Sequence, residues 1–216
     1  ARRNAVRAMI DAGLQIRFEA GVAELNEVVS EFSSNYHSHF GRLLDRLGPD
    51  AVGLHNRAVL VAAGVVAYHN SKEAGLVMLE DARATLKHLS EAGVRLGVIS
   101  AGLQVKQAEK LIRIDALQYF DPTAIFFSDQ VGVSKPNPKI YTKACDFVGV
   151  DPERAMYVGD RPAHDAGPAR AAGMHTVHYT GAGGKYGSED SVEPHHQLSD
   201  LRALIPILRE QYRLAV

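Results

Sequence analysis

From residue 79 onward, short apolar runs alternate with stretches of helical periodicity, and this alternation restricts the fold more than any other feature of the chain. The runs are 94–99 (Val-Arg-Leu-Gly-Val-Ile), 124–127 (Ala-Ile-Phe-Phe), 155–158 (Ala-Met-Tyr-Val) and 175–179 (His-Thr-Val-His-Tyr). Runs this short and this apolar read as strands covered on both faces, and strands separated by helices pair in parallel. The expected core is therefore α/β, a doubly wound parallel sheet. Helices are expected over 81–92 with Gly93 as a left-handed cap, over about 104–113, and after Asn137-Pro138 with the proline at the first helical position. Two more are expected over about 165–172, closed by Gly173, and over 198–214.

Ahead of this core the pattern is purely helical. Apolar residues recur at spacings of three and four through Val22, Leu25, Val28, Val29 and Phe32, and again through Leu60, Val61, Val65, Val66 and Tyr68. Breaks at Gly13, at Gly48-Pro49 and near Gly53 divide the segment into three or four helices. Two domains are expected, a helical one over 1–78 and the α/β core over 79–216. The chain opens at Ala1 directly in helical sequence with no capping residue, which leads to the expectation of a further segment upstream.

In a parallel α/β sheet, ligands bind beyond the carboxyl ends of the strands, so the residues after each strand carry the functional reading. The run 94–99 leads into Ser100-Ala101-Gly102, where a hydroxyl and successive backbone N–H groups can converge on an anion; an ordinary turn has the same composition. After 124–127 comes Ser134-Lys135-Pro136-Asn137-Pro138, which fixes Lys135 between a loop and a helix start, although a solvated loop lysine is the plainer alternative. The run 155–158 leads into Gly159-Asp160-Arg161-Pro162-Ala163-His164-Asp165. Its two carboxylates suit Mg²⁺, a hard cation that keeps several waters and takes one or two protein carboxylates. A helix N-cap would explain Asp165 equally well, but not Asp160.

Taken in order, the hydroxyl, the lysine and the acidic pair resemble the second, third and fourth motifs of the haloacid dehalogenase-like superfamily. A helical segment in the position of a cap inserted after the first motif adds to the resemblance, and the segments Ala67-Tyr68-His69-Asn70 and Lys135-Pro136-Asn137-Pro138-Lys139-Ile140 are similar to archaeal and bacterial phosphatases and 2-haloacid dehalogenases. The resemblance implies a Rossmann-like core and a Mg²⁺-dependent phosphohydrolase acting on a small phosphorylated metabolite through an aspartyl-phosphate. It implies that Ser100, Ala101 and Gly102 hold phosphoryl oxygens, that Lys135 neutralises charge around phosphate and nucleophile, and that Asp160 and Asp165 complete the metal site. The first motif of the family, Asp-x-Asp, occurs nowhere in the 216 residues, so the nucleophile is expected on a strand of about twenty residues with its loop. A 2-haloacid dehalogenase and a non-catalytic binding protein on the same fold are the rival readings. Asp160 favours a metal-dependent enzyme over the first, and an Asp-x-Asp upstream would argue against the second.

Bulk properties exclude several other classes. A net charge of -1 gives no electrostatic case for nucleic acid or an anionic membrane surface. No apolar run approaches the roughly 20 residues of a membrane span, and the single cysteine, Cys145, sits in helical sequence as a core thiol. A cytoplasmic monomer or homodimer is expected. The ten histidines, among them His37 and His39 beside Asn35 and Tyr36, and the pair His195-His196, show no zinc spacing. The glycine-rich stretch 180–191 lacks the Gly-Lys-Ser/Thr ending of a nucleotide-binding loop and reads as a surface loop.

Overall fold

A computed structural model describes residues 1–32, 36–182 and 193–216. Asn35 and most of the glycine-rich stretch, 183–191, lie outside the described residues. The chain divides into two compact units, Ala1–Val77 and Met78–Val216.

The first unit is helical: α1 (Arg2–Asp11), α2 (Phe18–Phe32), α3 (His39–Leu47), α4 (Pro49–Val52) and α5 (Arg57–Ala74). The extra helix beyond the expected three or four is α4, a single turn with proline at its first position, between Gly48 and Gly53. The spacing of apolar residues builds one core from Val6, Met9, Leu14, Val22, Leu25, Leu43, Leu44 and Leu60. Each fully buried leucine contributes about 2 kcal/mol of transfer free energy. Helices α1 and α5 approach closely at Gly64, where a Cβ would lie 2.9 Å from the Met9 sulfur. No helix among the described residues is long and apolar enough to cross a membrane.

The second unit runs α6 (Glu80–Glu91), β1 (Val98–Ser100), α7 (Gln104–Arg113), β2 (Ile125–Phe127), α8 (Ser128–Val131), α9 (Lys139–Val148), β3 (Met156–Gly159), α10 (Ala166–Ala171), β4 (His175–Tyr179), β5 (His196–Leu198) and α11 (Leu204–Glu210). All strand pairs are parallel, as expected, but among the described residues the strands form two sheets, β1-β2 and β3-β4-β5. Both faces of the larger sheet are covered. Tyr157 packs with Ile140, Tyr141, Cys145 and Ala169 from α9 and α10, while Met156 and Val158 face Leu89 of α6 and Leu204 and Leu208 of α11. This is the period-two alternation of a strand buried on two sides. Central β4 is buried over its last four residues, whereas β1 and β3, each with one edge unpaired among the described residues, are only half-buried.

Several elements are shorter than the sequence suggests. The first strand begins at Val98 and not at residue 94, because Gly97 passes so close to the next chain segment that a Cβ there would lie 2.7 Å from the Ala124 carbonyl oxygen. The ladder starts only where the Val98 N–H reaches that same carbonyl at 2.8 Å. The terminal helix expected from 198 begins at Leu204. Leu198 is held in β5 opposite Tyr179, and Asp200 caps an intervening 3-10 turn by accepting from the Arg202 N–H at 2.9 Å. Gly93 and Gly173 do take positive φ, 76° and 92°, as the helix-ending role requires. Pro138 falls in the cap position of α9, one residue earlier than expected, and Cys145 is buried in that helix, where burial pushes its thiol up.

Candidate active site at the carboxyl ends of the strands

Of the pieces singled out in the sequence, Ser100 and Asp160 sit where their strands end, while Lys135 and Asp165 lie in loops ahead of helices. Ser100 is the last residue of β1, Gly159 the last of β3, and Asp160 the next residue. Lys135 lies in the loop between α8 and α9 and is joined to Pro136 by a cis peptide bond; Asp165 immediately precedes α10.

Lys135 and Asp165, 30 residues apart, form an ion pair with Nζ 2.6 Å from Oδ1. Their side chains are 15% and 4% exposed, so the pair is shielded from the solvent that weakens surface ion pairs. Asp165 is engaged at both oxygens, since Oδ2 accepts from the Arg161 backbone N–H at 3.1 Å. The capping explanation of Asp165 does not describe its side chain, which makes no cap hydrogen bond to α10. Gly159 makes the pocket for this carboxylate: a Cβ there would lie 2.6 Å from the Asp165 Cβ and 2.7 Å from Oδ2. The glycine before Asp160 therefore serves Asp165.

Two tyrosines complete the surroundings and were not singled out in the sequence. The Tyr157 hydroxyl accepts from Lys135 Nζ at 3.1 Å, and its one proton can reach the Ile99 carbonyl oxygen at 3.2 Å or Asp165 Oδ1 at 3.4 Å. Its ring stacks edge-on against Tyr141, centroids 4.9 Å apart, and the Tyr141 hydroxyl donates to the His164 carbonyl at 3.2 Å. Burial pushes both phenols far above the usual range, reinforced for Tyr157 by the Asp165 charge and for Tyr141 by its tyrosine neighbour. Both therefore stay protonated and can donate. The only sequence signal was a polar-tipped aromatic in an apolar strand two residues before Gly159.

Asp160 contrasts with Asp165. It is half-buried and forms no ion pair or side-chain hydrogen bond among the described residues. The Ser100 hydroxyl donates to Gln107 Oε1 at 3.1 Å, and the Gly102 N–H donates to Ser128 Oγ at 2.9 Å. Gly102 takes φ +128°, a conformation that L side chains rarely adopt. No hydrogen bond joins Ser100, Ala101 or Gly102 to Lys135, Asp160 or Asp165 among the described residues. The Tyr157–Ile99 contact reaches the residue next to Ser100.

The donor set bears on a metal. No group of three or more His, Cys, Asp or Glu side chains is placed to hold a cation among the described residues. One unpaired carboxylate beside a second that is tied to lysine is too few ligands for a zinc or calcium cage. It suits Mg²⁺, which retains most of its water.

Residues 24–179 match the haloacid dehalogenase-like hydrolase family. The chain is 44% identical over 216 aligned residues, 97% of its length and 89% of the other's, to the glyceraldehyde 3-phosphate phosphatase of Methanopyrus kandleri. It is 40% identical to the glyceraldehyde 3-phosphate phosphatase of Pyrococcus furiosus over 98% of this chain and 85% of that one. Among solved structures, a haloacid dehalogenase-like phosphatase from Thermococcus onnurineus superposes with a TM-score of 0.67 at 23% identity, covering 95% of this chain and 87% of that one, a likeness of fold.

Proposed function

The chain belongs to the haloacid dehalogenase-like hydrolase family, and we propose that it is a Mg²⁺-dependent phosphatase that removes phosphate from glyceraldehyde 3-phosphate or a similarly small phosphorylated aldehyde. The observation that carries the reading is the shielded Lys135–Asp165 pair in the same loop region as Asp160, which has no ion pair among the described residues, at the carboxyl end of β3. The choice of substrate is supported by relatives above 40% identity that span most of the chain and carry that activity in their names.

Phosphoryl transfer asks the protein mainly for positioning and for positive charge around the phosphoryl oxygens. Ser100, with the backbone of Ala101 and Gly102, supplies hydrogen-bond donors to the phosphate once Ser100 exchanges its bond to Gln107. Lys135 supplies a fixed cation. Asp160 and Asp165 would hold Mg²⁺, and Asp165, engaged at both oxygens, keeps Lys135 in place. When bound, the metal would neutralise charge on the phosphoryl oxygens.

In the family the attacking oxygen belongs to the first aspartate of an Asp-x-Asp pair, and these 216 residues contain no such pair. We assign it to a strand seated between β1 and β3, each of which has one edge without a partner among the described residues. Attack on phosphorus forms an aspartyl-phosphate and releases the alcohol, which takes a proton from the second aspartate. That residue then deprotonates a water, whose attack on phosphorus releases inorganic phosphate and regenerates the carboxylate.

The test is phosphate release from a panel of phosphomonoesters by the gene product that carries this chain. Fastest turnover on glyceraldehyde 3-phosphate is the expected result. Turnover confined to nucleotides or hexose phosphates would overturn the substrate assignment, and chloride release from 2-chloropropionate with no phosphate release would overturn the phosphatase reading.

A further inference from the structure

We propose that Tyr157 is a positioning residue for the reaction, holding the Lys135 ammonium in place through its hydroxyl without neutralising it; the catalytic consequence rests on the function proposed above. A lysine ammonium is a point charge on a flexible four-carbon stem with three donors, so a single ion pair leaves its direction loosely set. Here two donors are committed, one to Asp165 Oδ1 at 2.6 Å and one to the Tyr157 oxygen at 3.1 Å, which leaves one for substrate.

The chemistry of the second partner matters. A second carboxylate in that position would leave the group around Lys135 net negative, opposing an anionic substrate. A phenol accepts the hydrogen bond and adds no charge. Its own proton anchors the hydroxyl to the Ile99 carbonyl or to Asp165 Oδ1, so the acceptor is oriented from the protein side. The ring is fixed as well, because Tyr141, fully buried in α9, packs edge-on against it.

The experiment compares Tyr157→Phe with the unaltered gene product and with Tyr212→Phe, which removes a hydroxyl that lies 2.9 Å from His196 Nε2, away from the lysine. Two quantities are read: steady-state kinetics, and trace acetylation of Lys135 relative to exposed Lys143 in the same molecule, followed by mass spectrometry. Tyr157→Phe should lower kcat about tenfold with KM within about twofold, since misplacing a catalytic group costs rate more than binding. It should also raise Lys135 labelling at least threefold relative to Lys143. Tyr212→Phe should leave both unchanged.

Unaltered kcat in Tyr157→Phe would overturn the proposal, as would equal losses in both variants, which would indicate packing alone. If the unaltered protein releases no phosphate from any ester, the function proposed above fails. Labelling then decides this proposal by itself: a rise confined to Tyr157→Phe supports it, and no rise overturns it.

Discussion

Lys135 Nζ lies 2.6 Å from Asp165 Oδ1, and the two residues reach each other from separate loops, one before α9 and one before α10. The two side chains are 15% and 4% exposed, so water screens the pair little. The pair therefore makes separate predictions for stability and for catalysis.

Lys135→Met should abolish turnover and lower stability by about 3 kcal/mol, because a buried carboxylate is left without its counter-charge. Adding Asp165→Leu should recover most of that stability and none of the activity. Urea unfolding of the two single variants and the double variant checks this as a double-mutant cycle. Additive losses would mean that the two charges do not interact in solution.

Gly159→Ala tests the space that Asp165 occupies. The added methyl would meet the Asp165 side chain at 2.6 to 2.7 Å. Relief requires moving that carboxylate away from Lys135 or shifting the end of β3, at a cost of about 1–3 kcal/mol. Turnover should fall at least tenfold, and the Lys135 labelling described above should rise. Activity within twofold of the unaltered protein would show that the loop accommodates the methyl without loss of the ion pair.

What the sequence made legible was local. Strand periodicity, the glycine ends of α6 and α10 and the position of each motif after its strand follow from neighbours in the chain, and they place Ser100, Lys135, Asp160 and Asp165 at one end of the parallel strands. What it left hidden depends on distant partners. Tyr157 looks like any apolar strand residue until the fold brings Lys135, 22 positions away, and Ile99, 58 positions away, to its hydroxyl. The engaged state of Asp165 and the state of Asp160, without an ion pair or side-chain hydrogen bond among the described residues, cannot be told apart by spacing, since both are aspartates in one loop, 160–165. The late start of β1 has the same origin, because only pairing with the Ala124 region shows why residues before Val98 stay outside the ladder.

His195 gives a pH prediction away from the site. Its Nδ1 accepts from the Thr176 backbone N–H at 3.0 Å, and burial followed by the nearby Arg170, His175 and His196 holds its pKa below the ordinary histidine value. The unfolded chain then takes up the proton first, so this contribution to stability is fully present above about pH 6.5 and is lost as pH falls from there through the depressed folded value. His195→Asn, which keeps an acceptor but does not titrate, should flatten the dependence of Tm on pH between 7 and 5 by a small amount, as befits an exposed residue. An identical slope in the variant would remove His195 from the account.

The central claim is that Asp160 carries the metal for a phosphatase reaction, and it is tested most directly by phosphate release from glyceraldehyde 3-phosphate as Mg²⁺ is titrated into the metal-stripped gene product and its Asp160→Asn variant. The account predicts no turnover without metal, saturable recovery in the unaltered protein, and a loss of at least a hundredfold in the variant at every Mg²⁺ concentration that saturates the unaltered protein. Turnover that ignores Mg²⁺, or an Asp160→Asn variant with unaltered metal dependence, would contradict it.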